Sequence, residues 1–173
     1  MATAYIVIYL GVAVLRLRYP FELEWLEGAT LDHVRRVLTG APLYARPSLE
    51  FIPFTYPPLY YYLAALGLSN GINGFVAMRV VSIAASVASF VLIYVLVRPD
   101  SGHRSAFVSA GLFAATYALS GGWLDLGRVD SLYLCLALAT AVVLARANSP
   151  AILSLPVCSP RWRCSPSRRL SSR

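Results

Sequence analysis

FVAMRVVSIAASVASFVLIYVLV, at residues 75–97, is an apolar run in which Arg79 is the one charged side chain. A helix of this length is about 35 Å long, more than the roughly 30 Å hydrocarbon core of a bilayer. The stretch therefore predicts a transmembrane helix and decides the fold class. Residues 84–89 are mostly Ala and Ser, which allows close helix packing. We expect Arg79, near the start of this helix, to extend to lipid headgroups.

Three further apolar segments predict additional spans, at residues 2–15, 105–123 and 131–145. The first is short, and we expect Arg16 and Arg18 to extend it by reaching headgroups. Hydrophobic residues make up 58% of the chain and charged residues 13%, whereas soluble domains have about 25% charged residues. Lipid is therefore the solvent that this composition predicts.

Two shorter segments predict helices that lie on the membrane surface. Residues 27–39 have an apolar face and a charged face, and Gly40 ends this helix. Residues 58–68 would be about 16 Å long, too short to span. A crossing by residues 58–74 is the alternative, and it would satisfy the positive-inside rule better. We favour the flat arrangement, with Tyr60, Tyr61 and Tyr62 as interface anchors.

The predicted fold class is an all-α polytopic integral membrane protein. It has about four transmembrane helices, plus two interfacial helices in the first outer loop. Residues 1–147 form this domain, and residues 148–173 form a basic tail rich in Ser, Arg and Pro. From Cys158 onward the tail is typical of out-of-frame translation, with a disordered tail on anionic lipid as the alternative. We expect the chain to be the front part of a longer protein.

Charge and cysteine content exclude several function classes. The net charge is +7, but five arginines after residue 157 supply most of it, so we expect no nucleic-acid partner. The three cysteines and two histidines form no zinc-binding pattern. We expect no cofactor, leave a divalent metal open, and assign no role to His33 or His103.

Two polar segments are candidates for a functional site. PFELEWLEG at residues 20–28 contains Glu22, Glu24 and Glu27, and WLDLGRVDS at residues 123–131 contains Asp125, Arg128 and Asp130. In the flat arrangement both segments emerge on the same side of the membrane. A carboxylate there can act as a general base toward a hydroxyl, and arginine can bind a lipid phosphate. The alternative is that these are solvated loop charges.

The order of the motifs resembles the N-terminal part of the GT-C membrane glycosyltransferases, which include protein O-mannosyltransferases and lipid A aminoarabinose transferases. The similar segments are ELEWLEG, GAPLY at residues 40–44, YPPLYYYL at residues 56–63, MRVVS at residues 78–82 and GRVDSL at residues 127–132. The resemblance implies a multi-pass protein of the bacterial inner membrane, with its site on the outer face and a polyprenyl-phosphate-linked sugar as donor. Membrane lipid would be its other partner.

The resemblance also implies roles for individual residues. Glu27 would be the base that deprotonates the acceptor, with Glu24 as the second choice, and Asp130 would place the reacting groups. The substrate-binding residues would be Arg128, which would bind the phosphate, and Glu22, Asp125 and Tyr56. This chain alone would be an incomplete, inactive part of the enzyme.

A small non-enzymatic membrane subunit is the main alternative function, and it would bind partner helices through the surface at residues 84–89. A transporter fragment is less favoured, because it requires a charged or broken helix in the middle of the membrane.

Overall fold

The computed structural model describes residues 1–147, and the predictions for residues 148–173 lie outside this range. The described part is all-helical, as the sequence predicts. Its helices are α1 (Ala2–Leu17), α2 (Trp25–Leu38), α3 (Leu59–Ser69), α4 (Gly74–Ala115) and α5 (Asp130–Arg146), and a short 3-10 turn covers Trp123–Asp125.

Helix α4 is the central element, and α1, α3 and α5 all pack against it. It combines two helices that meet at Gly102, whose φ of 76° and ψ of 175° are not helical. The turn predicted at residues 98–104 is therefore a kink. The predicted span 105–123 was too long, because the helix ends at Ala115 and the chain turns at Gly121 and Gly122, whose φ values are 70° and 72°.

The two helices that were predicted to lie on the membrane surface, α2 and α3, begin and end close to their predicted limits. Helix α2 starts two residues earlier than expected because the Glu24 carboxylate accepts a hydrogen bond from the Leu26 amide, as an N-cap. Gly40, with φ of 67°, ends α2, and the Ala41 amide donates to the Arg36 carbonyl. This is the glycine-dependent helix end that the sequence predicted.

Two apolar clusters hold the helices together. One joins α2, α3 and α4, and its members are Leu31, Val34, Tyr60, Tyr61, Ala64, Ala65 and Met78. The other joins α1 to α4 and the 3-10 turn, through Tyr9, Ala13, Phe90, Ala110, Ala114 and Leu124. The expectation that Tyr60 and Tyr61 anchor the chain at the interface was wrong, because both are buried and the Tyr60 hydroxyl donates to the Met78 carbonyl at 2.8 Å.

Helix α4 is the one element within residues 1–147 that is long and apolar enough to cross a membrane, while α1 and α3 are shorter apolar helices. The expectation of four spans is therefore not established by helix length. The kink at Gly102 and the early end at Ala115 shorten the second half of α4, which carries the predicted span 105–123.

Candidate functional site

A fully buried ion pair between Glu27 and Arg79 occupies the junction of α2 and α4. Arg79 Nη2 is 2.7 Å from Glu27 Oε2, and Arg79 Nε is 2.9 Å from Oε1. The remaining Arg79 donors bind backbone carbonyls of Arg16, Tyr19 and Phe21. The five N–H donors of a guanidinium thus all have acceptors. The expectation that Arg79 extends to lipid headgroups was wrong, because its side chain is 1% exposed.

The Glu27 carboxylate is equally well satisfied. Besides Arg79, it accepts hydrogen bonds from the Leu23 amide at 2.8 Å and from the Gly127 amide at 2.7 Å. Burial alone would raise the pKa of Glu27, but hydrogen bonds from Arg79 and these two amides outweigh it and lower the pKa. A carboxylate with four donors and a lowered pKa is a weak proton acceptor. The role of base therefore stays a prediction for Glu27, and it requires these bonds to open.

A second buried carboxylate, Asp125, connects α1 to the segment before α5. Its Oδ1 accepts from Arg16 Nη1 at 3.1 Å and from the Tyr117 hydroxyl at 2.9 Å. Burial raises the pKa of Asp125, against the opposing effects of the Tyr117 hydrogen bond and the Arg16 charge. Arg16 was expected to reach headgroups, but it turns toward Asp125 instead. The structure thus gives Asp125 internal partners, and its predicted contact with substrate stays a prediction.

Arg128 forms the center of a more open cluster at the start of α5. Its Nε donates to Asp130 Oδ2 at 2.8 Å, and its Nη1 donates to Glu24 Oε2 at 3.3 Å. The guanidinium also lies over the Trp123 ring, at 4.2 Å from the centroid. Among the described residues, two of its five N–H donors have hydrogen-bond partners. Burial lowers the pKa of Arg128, but Asp130 and Glu24 outweigh this effect and raise it.

The Arg128 cluster lines a small crevice of about 10 Å³, which lies beside an apolar groove. The crevice is lined by Leu26, Thr30, Tyr56, Arg128, Val129 and Asp130. The groove has a volume of about 320 Å³ and shares Tyr56, Val129 and Asp130 with the crevice. Its remaining lining residues come from α3, α5 and the segment just before α3, and are Pro57, Leu59, Tyr60, Leu132, Tyr133 and Leu136. The Arg128 cation therefore lies beside an apolar groove between two helices.

The structure thus brings four of the seven predicted site residues together, which are Glu24, Arg128, Asp130 and Tyr56. Glu27 lies directly behind them, since it binds the amide of Gly127, the residue before Arg128. Asp125 points away toward Arg16, and Glu22 is exposed beside Gly28. The side-chain exposure increases from Glu27, at 0%, to Glu24, at 19%, and Asp130, at 49%.

The sequence did not predict the structural roles of two buried residues, Arg79 and His33. Arg79 is one, and its position inside an apolar run was a signal, because a buried arginine requires a buried carboxylate. His33 is the other: its Nδ1 donates to the Ala29 carbonyl at 2.8 Å, and its Nε2 accepts from the Phe54 amide at 2.9 Å. Its ring stacks on Phe54 and Tyr61, so it fastens the loop before α3 to α2.

No group of three or more metal-ligating side chains occurs within residues 1–147. The carboxylates of Glu24, Glu27 and Asp130 are paired with arginines, which act as their counterions.

Within residues 1–147 the structure defines an all-helical fold with one candidate span and an arginine–carboxylate site at the start of α5. Residues 55–151, more than half of the chain, match the family described as dolichyl-phosphate-mannose-protein mannosyltransferase. The chain belongs to this family, and the membership confirms the resemblance to GT-C glycosyltransferases. The match includes α3, α4, Arg128 and Asp130, whereas Glu24 and Glu27 precede it. No curated protein and no solved structure shows significant similarity to the chain.

Proposed function

We propose that this protein is a membrane glycosyltransferase that moves a sugar from a polyprenyl-phosphate donor to an acceptor hydroxyl on the outer face of a bacterial inner membrane. Membership of the mannosyltransferase family supports the class of reaction and the class of donor. Four transmembrane helices, with α2 and α3 at the interface, are part of this proposal. The proposal also includes the expectation that further transmembrane helices of a longer protein complete the donor pocket.

The observation that carries the proposal is that the Arg128 crevice and the apolar groove are adjacent and share Tyr56, Val129 and Asp130. A polyprenyl-phosphate sugar has the same two parts, a long apolar chain and an anionic phosphate. The groove between α3 and α5 fits the apolar chain, and the free donors of Arg128 fit the phosphate oxygens. Tyr56 lies where the two regions meet.

We assign the base to Asp130 in place of Glu27, because the Glu27 carboxylate is buried and fully hydrogen-bonded, whereas that of Asp130 is the most exposed of the three candidate acids. Asp130 would take the proton of the acceptor hydroxyl while that oxygen bonds to the anomeric carbon of the sugar. The bond from this carbon to the phosphate oxygen would break, and its electron pair would leave with the polyprenyl phosphate. Arg128 would stabilise the negative charge of this leaving group. Glu24 would hold Arg128 in place from the opposite side.

The test is sugar transfer in membranes of cells that express the gene with its native flanking DNA, so that any further coding sequence is retained. The donor is a radiolabelled polyprenyl-phosphate sugar, and the released polyprenyl phosphate is measured. Asp130→Asn should reduce the transfer rate by about 100-fold or more, as expected for loss of a general base. Arg128→Gln should weaken donor binding by about 10-fold to 100-fold, through loss of a charged hydrogen bond.

Asp32→Asn is the matched control, because Asp32 is exposed on α2 and pairs with Arg35. Unchanged transfer in Asp130→Asn would remove Asp130 from the mechanism. Unchanged function after joint replacement of Glu24, Arg128 and Asp130 would favour the non-enzymatic subunit. The small-residue surface of that alternative is largely covered within this chain, since Ala85, Ser86 and Ser89 are buried and the Ser86 hydroxyl donates to the Leu124 carbonyl.

A further inference from the structure

We infer that Glu27 and Arg79 are positioning residues, which together fix the backbone at Gly127 and thereby place the Arg128 guanidinium in the crevice. The basis is the set of hydrogen bonds that these two side chains make. The inference rests on the proposed function for the role of Arg128 toward phosphate, but the placement itself is independent of the ligand.

First, all the N–H donors of Arg79 and both carboxylate oxygens of Glu27 are already hydrogen-bonded within the protein. Arg79 binds both oxygens of Glu27 and the carbonyls of Arg16, Tyr19 and Phe21. Its five N–H donors are therefore in use, and its side chain is 1% exposed. A phosphate cannot displace these acceptors without exposing three backbone carbonyls and a buried carboxylate. Direct binding of substrate by Arg79 is accordingly disfavoured.

The second step is that the ion pair joins segments that are far apart in the sequence. It connects the end of α1, the loop before α2, α2 itself, α4 and residue 127. The contact with residue 127 is the one that concerns the site, because Glu27 Oε1 accepts from the Gly127 amide at 2.7 Å. This amide belongs to the Leu126–Gly127 peptide unit, and Arg128 is the next residue in the chain.

The third step is that Arg128 contacts the same helix start that carries Glu27. Glu24, the N-cap of α2, accepts from Arg128 at 3.3 Å. Glu27, one helical turn further on, holds the backbone of the preceding residue. Two acids at the start of α2 therefore bind the same loop. Glu27 binds the main-chain amide of Gly127, and Glu24 binds the side chain of Arg128.

The packing around Gly127 agrees with this role. A Cβ atom at this position would lie 3.1 Å from Met78 Cβ and 3.3 Å from Glu27 Oε1. Gly127 therefore packs closely against Met78 of α4, the residue before Arg79. It also packs against the Glu27 carboxylate, which accepts its amide hydrogen bond. The loop has little freedom to shift while the ion pair is formed.

The experiment compares Glu27→Gln and Arg79→Lys with the control Asp32→Asn, all in detergent micelles and with the full chain. Amide hydrogen exchange is followed by mass spectrometry for residues 124–130 and for residues 82–97 of α4. Binding of a polyprenyl monophosphate is measured in parallel. Both test variants should exchange at residues 124–130 at least about tenfold faster, and bind the phosphate at least about tenfold more weakly, because a buried charged hydrogen bond is lost.

Arg79→Lys separates positioning from charge balance. A lysine ammonium keeps the positive charge but has three donors, so it cannot satisfy both carboxylate oxygens and three carbonyls together. If charge balance alone mattered, Arg79→Lys would behave like the unsubstituted chain, and the inference would be overturned. Equal acceleration at residues 82–97 and 124–130 would indicate a merely structural role and would also overturn it.

The two proposals fail in different ways. If the unsubstituted chain does not bind polyprenyl monophosphate, the donor assignment fails, while the exchange at residues 124–130 still decides the positioning role. If Glu27→Gln does not fold, Arg79→Lys supplies the same comparison. Unchanged exchange in a folded variant would refute the positioning role, whatever the binding result.

Discussion

Arg79 and Arg128 are both largely buried arginines paired with carboxylates, but their surroundings differ. Arg79 has a protein acceptor for all five of its N–H donors and is 1% exposed. Arg128 has acceptors for two of its donors within residues 1–147, and it borders a crevice that lies beside an apolar groove. The first arrangement has no room for a ligand, whereas the second has donors that a ligand can use.

The difference shows that a buried arginine in a membrane protein is not by itself a substrate site. Paired and fully hydrogen-bonded, as Arg79 is, it holds segments of the backbone together. Incompletely satisfied beside a cavity, as Arg128 is, it can bind an anion. The number of free donors separates these two roles better than burial does.

The largest effect on stability is expected from Arg79→Met. The substitution leaves Glu27 buried without its cation, and it leaves the carbonyls of Arg16, Tyr19 and Phe21 without their donor. Removing one partner of a buried ion pair typically costs about 3–5 kcal/mol in the free energy of unfolding. Denaturation in detergent, followed by circular dichroism, measures this loss.

Arg35→Met is the matched control for this prediction, because Arg35 is an arginine on α2 whose side chain is 63% exposed. An exposed pair contributes at most about 1 kcal/mol. If the two substitutions lower the free energy of unfolding equally, the ion pair of Arg79 does not stabilise the fold. The structural role that distinguishes Arg79 from Arg128 would then be wrong.

A smaller effect is expected from Gly127→Ala, which disturbs the connection between the two arginines without changing a charge. The added methyl group would lie 3.1 Å from Met78 Cβ, on a helix that cannot easily move. Overpacking of this kind typically costs about 1–3 kcal/mol in the free energy of unfolding. We also expect weaker binding of polyprenyl phosphate, since Arg128 follows directly.

Gly28→Ala is the control, because there the added methyl group would meet the Glu22 carboxylate, which is at the end of an exposed side chain and can move away. Alanine also favours the helix at this position. If Gly127→Ala leaves both stability and phosphate binding intact, the loop is less constrained than its packing against Met78 indicates.

Much of the secondary structure could be predicted because it depends on local patterns. The limits of α2 follow from its amphipathic period and from Gly40, and α3 follows from the Pro57–Pro58 pair. The grouping of Glu24, Arg128 and Asp130 was predicted from the flat arrangement, and the resemblance to known enzymes supplied their individual roles. Residue types alone favour solvated loop charges over a catalytic site.

The ion pairs could not be predicted, because their partners are distant in sequence. Arg79 is 52 residues from Glu27, and Arg16 is 109 residues from Asp125. Considered locally, an arginine near the end of an apolar segment is expected to reach headgroups. Burying it required the folded positions of α1, α2 and α4 together. The same reason explains Tyr60 and Tyr61, whose aromatic character suggested the interface but whose neighbours place them in the core.

The smallest effect is a dependence of stability on pH that distinguishes Glu27 from Asp125. The folded chain lowers the pKa of Glu27 below its ordinary value of 4.5. The unfolded chain therefore binds a proton more readily, and the stabilisation by the Glu27 carboxylate is complete above this value and declines as the pH falls below it. The pKa of Asp125 is raised instead, so protonation of Asp125 on acidification removes a destabilising charge and cannot produce this decline.

Glu27→Gln removes the titrating group while keeping a side chain of similar size. The difference in the free energy of unfolding between the unsubstituted chain and Glu27→Gln should therefore shrink as the pH falls below 4.5, by at most about 1.4 kcal/mol per pH unit for one proton. Melting temperatures in detergent between about pH 3 and pH 6 measure this difference, since the range extends to both sides of the ordinary pKa of a glutamate. If the difference in the free energy of unfolding stays constant over this range, Arg79 does not hold Glu27 in its charged form. The contrast between Arg79, whose donors are all paired, and Arg128 would then be wrong.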